Sequence, residues 1–424
     1  MSRERIVQGL LLAAVFFLPW QTRWIYDELT IAGQGWEYGK LSLYATELLV
    51  LSAFLLRGRL QLSPKYRQII FSFGAVIAIA AFFSFISTNA TLSVATLTHL
   101  LCAFLLFLLV LDERTSILPI AWAFVLSLVA PALLGWFQVL TATSPASTLL
   151  GLASHAAPTV GDSVIESAGG RTLRAYGSFP HPNILGGFLV IGLFLLAFLA
   201  REHRYEQYRA WFSLLNIVFS VTLVMTFSRS AYLAATIGAC ALIAWLLIER
   251  RAPPRKAFPS LAVGFFSLLL VIAIFHEPIS ARFHPELRLE ARSIAERQVG
   301  YRDAWKIIRA HPVAGVGVGA FTHALANVRP GEPVWAYQPV HNVFLLVLAE
   351  LGLLGLAALL AFMKYIFHPL WLARRMPEGI LAISLATALI ILALFDHYLW
   401  SQWSGIALAL LALGLGQKMI RPSP

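Results

Sequence analysis

The residues of this chain best placed to do chemistry are arginines and histidines set against apolar runs. Arg229 lies in Thr226-Phe227-Ser228-Arg229-Ser230, between two such runs with almost no loop. A guanidinium there is costly against lipid, so it faces the membrane surface, a polar cavity or an anionic partner. Two readings stand: a snorkelling anchor for a helix end, or a phosphate ligand whose planar fork of donors suits phosphate oxygens. Arg171 and Arg174 precede Tyr176-Gly177-Ser178-Phe179-Pro180-His181-Pro182-Asn183. Pro182 and Asn183 mark a helix start, with Asn183 as its cap. A helix N-terminus offers free backbone N–H groups to an anion. His181 is held between two prolines, in a structural or a catalytic role.

A third group follows: Glu296-Arg297, then Tyr301-Arg302-Asp303-Ala304-Trp305, then His311-Pro312-Val313-Ala314-Gly315-Val316-Gly317-Val318-Gly319. The Gly-x-Gly-x-Gly run is no nucleotide loop, because no strand precedes it and no Lys-Ser/Thr follows. Its glycines point instead to a tight turn or a close backbone approach. His341-Asn342 closes the segment and opens an apolar run that carries Glu350 and Gly352. A histidine at such a mouth, facing arginines, is a natural proton acceptor near neutral pH. The chain has no Asp-x-Asp pair, no His-Glu-x-x-His and no Gly-x-Ser-x-Gly. Neither a metal nor a cofactor is expected, and arginines would have to neutralise any phosphate.

The elements that must position these groups are apolar. Of 424 residues 59% are hydrophobic and 12% are charged, which excludes a disordered chain and an ordinary cytosolic enzyme. The fold class expected is an all-α polytopic membrane protein, a single integral membrane domain over residues 1–424. Twelve runs are long enough to be spans: 6–20, 41–56, 68–87, 93–111, 117–141, 183–200, 211–227, 231–248, 260–275, 341–363, 379–396 and 403–418. The first follows Arg3 and Arg5 as a signal peptide would, but no small-residue cleavage site comes after it, so it is read as a helix. Cys102 and Cys240 sit inside apolar runs and are expected to be plain core residues.

The net charge of +11 would suggest nucleic acid in a soluble protein; here it sets orientation. With both termini cytoplasmic, 19 of the 32 basic residues fall on the inner side, among them Arg57, Arg114, Arg250, Arg251, Arg255, Lys256, Lys418 and Arg421. Two outer loops are unusually long, 142–182 and 276–340, and loops of that length are usually functional. The first is rich in small residues and then turns basic and aromatic. The second contains a charged, helix-compatible stretch from Pro285 to His311. No internal repeat is present.

Taken together, Arg174-Ala175-Tyr176-Gly177-Ser178-Phe179, His181-Pro182-Asn183, Ser228-Arg229-Ser230, Arg302-Asp303-Ala304-Trp305 with His311 to Gly317, and His341-Asn342 with Glu350 and Gly352 resemble the O-antigen ligase and polymerase superfamily of bacterial envelope glycosyltransferases. The resemblance covers about residues 170–360. It implies a GT-C-like membrane fold with about twelve transmembrane helices and a long, partly helical periplasmic loop. It implies an inner-membrane enzyme with a periplasmic active site, working without ATP, nucleotide, nucleic acid or metal. The donor would be O-antigen on undecaprenyl pyrophosphate, and the acceptor lipid A–core, both embedded among membrane lipids. His341 would take the proton of the acceptor hydroxyl, and Arg229 and Arg302 would stabilise the leaving pyrophosphate. Arg171, Arg174, His181, Asn183, Arg297 and Asn342 would bind pyrophosphate or sugar. An O-antigen polymerase or a protein-directed oligosaccharyltransferase of the same superfamily would use the same chemistry. A transporter is the rival from another class, but the polar constellation sits on one face only.

Overall fold

The computed structural model describes residues 2–167, 169–248 and 269–420. Its first part holds α1 (Arg3–Phe17), α2 (Ala45–Arg57), α3 (Arg67–Ser84), α4 (Ala90–Leu111), α5 (Ile117–Ser127), α6 (Val129–Thr141), α7 (Pro182–Leu199), α8 (Arg209–Met225) and α9 (Arg229–Ile248). The second holds α10 (His276–Ala281), α11 (Arg288–Ala310), α12 (Phe321–Val328), α13 (Val343–Leu372), α14 (Pro377–Phe395), α15 (Tyr398–Ser401) and α16 (Trp403–Met419).

Among the described residues, α3, α4, the α5–α6 pair, α7, α13 and α14 make six segments long and apolar enough to cross a membrane, with α8 and α16 as shorter apolar helices. The chain is thus a mostly helical, polytopic membrane protein. The run expected at 260–275 lies largely outside the described residues, as do Arg250, Arg251, Arg255, Lys256 and Arg421. Of the two cysteines, Cys102 is buried as expected, whereas Cys240 is exposed on α9.

The helix that organises the rest is α7, nearly every residue of which is buried. It packs against α5, α8, α9 and α14. In lipid, such contacts rest on close van der Waals fit and small residues rather than on the hydrophobic effect. Gly187 shows why: a Cβ there would fall 1.9 Å from the Tyr398 hydroxyl. Only glycine lets the α14–α16 connection lie this close to the start of α7.

An all-α fold is corrected by three two-stranded antiparallel sheets among the described residues. The largest pairs β1 (Arg23–Ile31) with β2 (Gln34–Tyr44), running from Arg23 opposite Tyr44 to Ile31 opposite Gln34 with shifts of register between Ile25 and Asp27 and between Glu28 and Thr30. Alternating aromatic and branched residues suit strands. Ala32 and Gly33 both have positive φ (51° and 77°), the requirement of a two-residue turn that matches strand twist. The span expected at 41–56 therefore begins late, because Leu41 to Tyr44 complete β2 and the helix starts at Ala45. The Tyr44 N–H donates to Glu47 Oε2 at 2.8 Å and caps that start. In the 142–182 loop, β3 (Thr143–Ser144) pairs with β4 (His155–Ala156), and β5 (Val164–Ser167) with β6 (Gly170–Leu173). The helix expected between Pro285 and His311 is α11.

One helix is broken. Inside α13, Gly352 takes φ 64° and ψ −166°, and a side chain there would strike the Val313 carbonyl. The glycine run threads along this break: Val316 N–H donates to Ala349 O at 3.0 Å and Gly317 N–H to Glu350 O at 2.9 Å. The run is a close backbone approach, as its glycines led one to expect.

Candidate functional site

His341 stands just ahead of α13, whose cap is Asn342: the Asn342 side chain accepts from Leu345 N–H and donates to Leu394 O at 3.1 Å. This caps the helix and ties its mouth to the end of α14. The tie brings His341 to the residue that follows α14. His341 Nδ1 lies 3.4 Å from Asp396 Oδ1. The contact is electrostatic, since the Nδ1 atom is buried without an aligned hydrogen bond, while the side chain as a whole keeps 29% of its surface open.

Asp396 is buried and both its oxygens are occupied. Oδ1 accepts the His397 backbone N–H at 2.8 Å, and Oδ2 accepts Asn183 Nδ2 at 2.8 Å. The Asn183 carbonyl in turn accepts Arg174 Nη2 at 2.7 Å, and Arg174 Nε donates to Thr226 O at 2.7 Å. Burial alone would raise the Asp396 pKa, but the adjoining His341, His397 and His181 hold it well below the usual carboxylate range. The carboxylate is ionised at any physiological pH. His397 is its buried neighbour: Nδ1 is 2.7 Å from Ser401 Oγ, Nε2 3.5 Å from Tyr38 Oη, and its ring centre 5.0 Å from that of His341. Burial pushes its pKa down to about 3, so it stays neutral.

His181, not Asn183, caps α7: its Nδ1 accepts Asn183 N–H at 3.2 Å, and its Nε2 lies 3.1 Å from Ser163 Oγ. Burial, with Arg174 next, lowers its pKa to about 3. Asn183 is thereby released to join Arg174 to Asp396.

Arginines gather beside this centre. Arg229 opens α9 two residues after Phe227, a buried residue held at φ 48°, a left-handed conformation that costs a non-glycine residue about 1–2 kcal/mol. Arg282 Nε donates to Phe227 O at 3.1 Å, and Arg229 Nη1 donates to Arg282 O at 3.1 Å. Both guanidiniums converge on buried Glu290 of α11, with Arg229 at 3.3 Å. Arg297, half-buried about two turns beyond Glu290 on α11, acts electrostatically on both Arg229 and His397. Burial and the Arg282 charge lower the Arg174 pKa to about 9. Arg174 makes no ion pair with a carboxylate among the described residues, and a buried cation so placed is stabilised by an incoming anion.

The remaining expected residues lie apart. Arg171 is exposed, donating to Pro158 O and pairing loosely with Glu166 at 3.6 Å. Arg302 is exposed on α11, its Nε 3.4 Å from Gln298 O, and does not reach the cluster. Reading the sequence alone missed Asp396, His397, Arg282 and Glu290. The Asp-His pair at a span end was a signal, because ionisable residues next to apolar runs are costly and rarely idle. Arg282 and Glu290 gave none that separated them from other charges in the long loop.

His341, Asp396 and His397 also offer three ligand atoms within 4.8 Å of one another, the one group of that kind among the described residues. No motif revealed it, because the ligands sit far apart in sequence. The Asp396 oxygens are already met by N–H donors, so the trio fits a base and its orienting carboxylate better than an open metal site.

Residues 214–360 match the O-antigen ligase family. The matched segment holds Arg229, Arg297, Arg302 and His341, while Arg174, Asn183 and Asp396 lie outside it. A 105-residue stretch is 33% identical to a general O-oligosaccharyltransferase of Acinetobacter baylyi, covering 24% of this chain and 18% of that protein.

Proposed function

We propose that this chain is a membrane glycosyltransferase that moves O-antigen from undecaprenyl pyrophosphate onto lipid A–core. The observation that carries the reading is the division of labour at Asp396. One oxygen faces the Nδ1 edge of His341, and the other is wired through Asn183 to the arginine side. Base and anion site are thus positioned by one carboxylate. With Nδ1 turned to Asp396, Nε2 of His341 is the nitrogen left to meet an acceptor hydroxyl.

The reaction then balances without a nucleotide. The acceptor oxygen forms a bond to the anomeric carbon, the bond from that carbon to the phosphate oxygen breaks, and the pyrophosphate leaves with the electron pair. His341 takes the hydroxyl proton, a role worth about 10²–10⁴-fold in rate, and Asp396 stabilises the imidazolium so formed. Arg229, Arg282, Arg174 and Arg297 meet the growing charge on the leaving group. Arg302 makes an outer contact with the donor, and His181 and Asn183 brace the start of α7 beneath it. Arg171 and Asn342 act at the rim. Arginine fits this task better than lysine because its charge survives burial at neutral pH.

Within a twelve-span, GT-C-like arrangement in the inner membrane, the excess of basic residues on the terminus-bearing side supports cytoplasmic termini and a periplasmic site. The name of the Acinetobacter relative favours one second reading, transfer of the same donor to protein. Deleting the gene and viewing the lipopolysaccharide ladder tests both. Loss of long chains on lipid A with accumulation of lipid-linked O-antigen is the expected result. An intact ladder with loss of protein glycosylation would replace the ligase by the second reading.

A further inference from the structure

A cavity of ≈ 610 Å³ lies under the β1–β2 hairpin and reaches the catalytic centre from one side. Tyr38 and Ser401 line it, and these are the two residues that touch the ring nitrogens of His397. Pro339, two residues before His341, lines it as well. None of Arg174, Arg229, Arg282 and Arg297 is among its lining residues. The cavity and the arginine cluster therefore approach the centre separately.

Its chemistry is unlike that of an anion site. Arg23 donates to Glu37 at 2.7 Å and Lys40 pairs with the same carboxylate at 2.6 Å, while Glu350 adds a second carboxyl to the lining. His99 lines it, backed by a buried carboxylate: His99 Nδ1 is 2.6 Å from Glu47 Oε1, and Glu47 is 1% exposed. The rings of Tyr44 and Trp403 pack beside His99, at 5.8 and 6.3 Å between centres, and lie 6.4 Å from each other. With Nδ1 held by Glu47, the His99 Nε2 is free for a ligand. A near-neutral chamber with aromatic faces and several convergent hydrogen-bonding groups suits a ligand of many hydroxyls and modest net charge.

We propose that this cavity binds a saccharide on the acceptor side of the reaction, with His99, Glu37 and Tyr38 as its hydroxyl-binding residues. The inference rests on the transferase reading. An attacking hydroxyl and a departing pyrophosphate must lie on different sides of the anomeric carbon, and the paired charges here suit the first while the arginine cluster suits the second. A saccharide from the donor has the same chemistry, so the test separates the two sources.

The full chain in lipid nanodiscs is assayed with lipid-pyrophosphate-linked O-antigen and rough lipopolysaccharide, each varied in turn. His99→Gln and Glu37→Gln should each raise the acceptor KM about 10-fold, with kcat and donor KM within about 2-fold of wild type. Glu37 lies on the exposed hairpin, so its variant guards against a simple folding defect. A rise in donor KM instead, or no change in either, overturns the proposal. If no transfer is seen at all, calorimetric titration with core oligosaccharide released from rough lipopolysaccharide decides the matter. Binding weakened about 10-fold by His99→Gln upholds the cavity while the transferase reading fails, and equal binding overturns the cavity itself.

Discussion

The two ends of the helical bundle hold similar numbers of charges and use them in opposite ways. At the end that carries the termini, Arg57 donates to Glu4 at 2.6 Å and to Thr115 at 3.1 Å. Arg114 grips Asp112 at 2.8 Å and reaches Glu4 at 3.1 Å, and Lys418 donates to Asp112 O at 2.7 Å. These contacts tie α1, α2, α4 and α16 together, and each charge ends on a partner from another segment. At the opposite end, His341 Nδ1 and Glu290 Oε2 are buried without hydrogen bonds, Arg174 has no carboxylate partner among the described residues, and Phe227 is strained. The first end is largely satisfied and structural: of the groups named there only Arg57 Nε is buried without a hydrogen bond, and it lies 3.9 Å from Asp112 Oδ2. The other keeps unmet polar groups beside cavities, which is where chemistry is found.

This contrast can be broken from either side. His341→Ala should lower transfer by about 10²–10⁴-fold with the protein still folded, measured as product per minute in nanodiscs. Asp396→Asn should cost about 10²-fold or more in kcat and little in KM, because the ring loses its orienting charge rather than its substrate. Arg174→Ala or Arg229→Ala should raise the donor KM about 10-fold, and Arg302→Ala should do less, since it stands outside the cluster. At the terminus-bearing end, Arg114→Ala should leave kcat within about 2-fold and remove no more than about 1 kcal/mol of stability, read from the unfolding midpoint in detergent.

The smallest effect is one of pH. The His397 pKa, about 3 when folded, lies below its ordinary value of 6.5, so protons bind the unfolded chain first. Stability from this residue is complete above pH 6.5 and is lost as pH falls from there towards 3. His397→Gln should flatten the fall in thermal midpoint over that window, and an unchanged slope would count against a buried, neutral His397.

Much of this was legible in the residues. Apolar runs announced the helices, because a span needs length and composition and little else. Arg229, Arg174, Asn183 and His341 were legible because polar groups beside apolar runs demand a reason. The β1–β2 hairpin was hidden by its neighbours: its apolar alternation merged into the run that became α2. Asp396 was hidden for a related reason, as the last residue of an expected span. Its role depends on Asn183, Arg174 and His341 from remote segments, which only packing around Gly187 brings together. Asn183 reads from the sequence as a helix cap, a task His181 performs.

The proposed task of Asp396 is to act through His341. A double-mutant cycle on kcat tests it most directly, using His341→Ala, Asp396→Asn and the pair. Residues working as one unit are not additive, so the double variant should be no slower than His341→Ala, within about 2-fold. If the two losses instead multiply, Asp396 works independently of His341 and the account is contradicted.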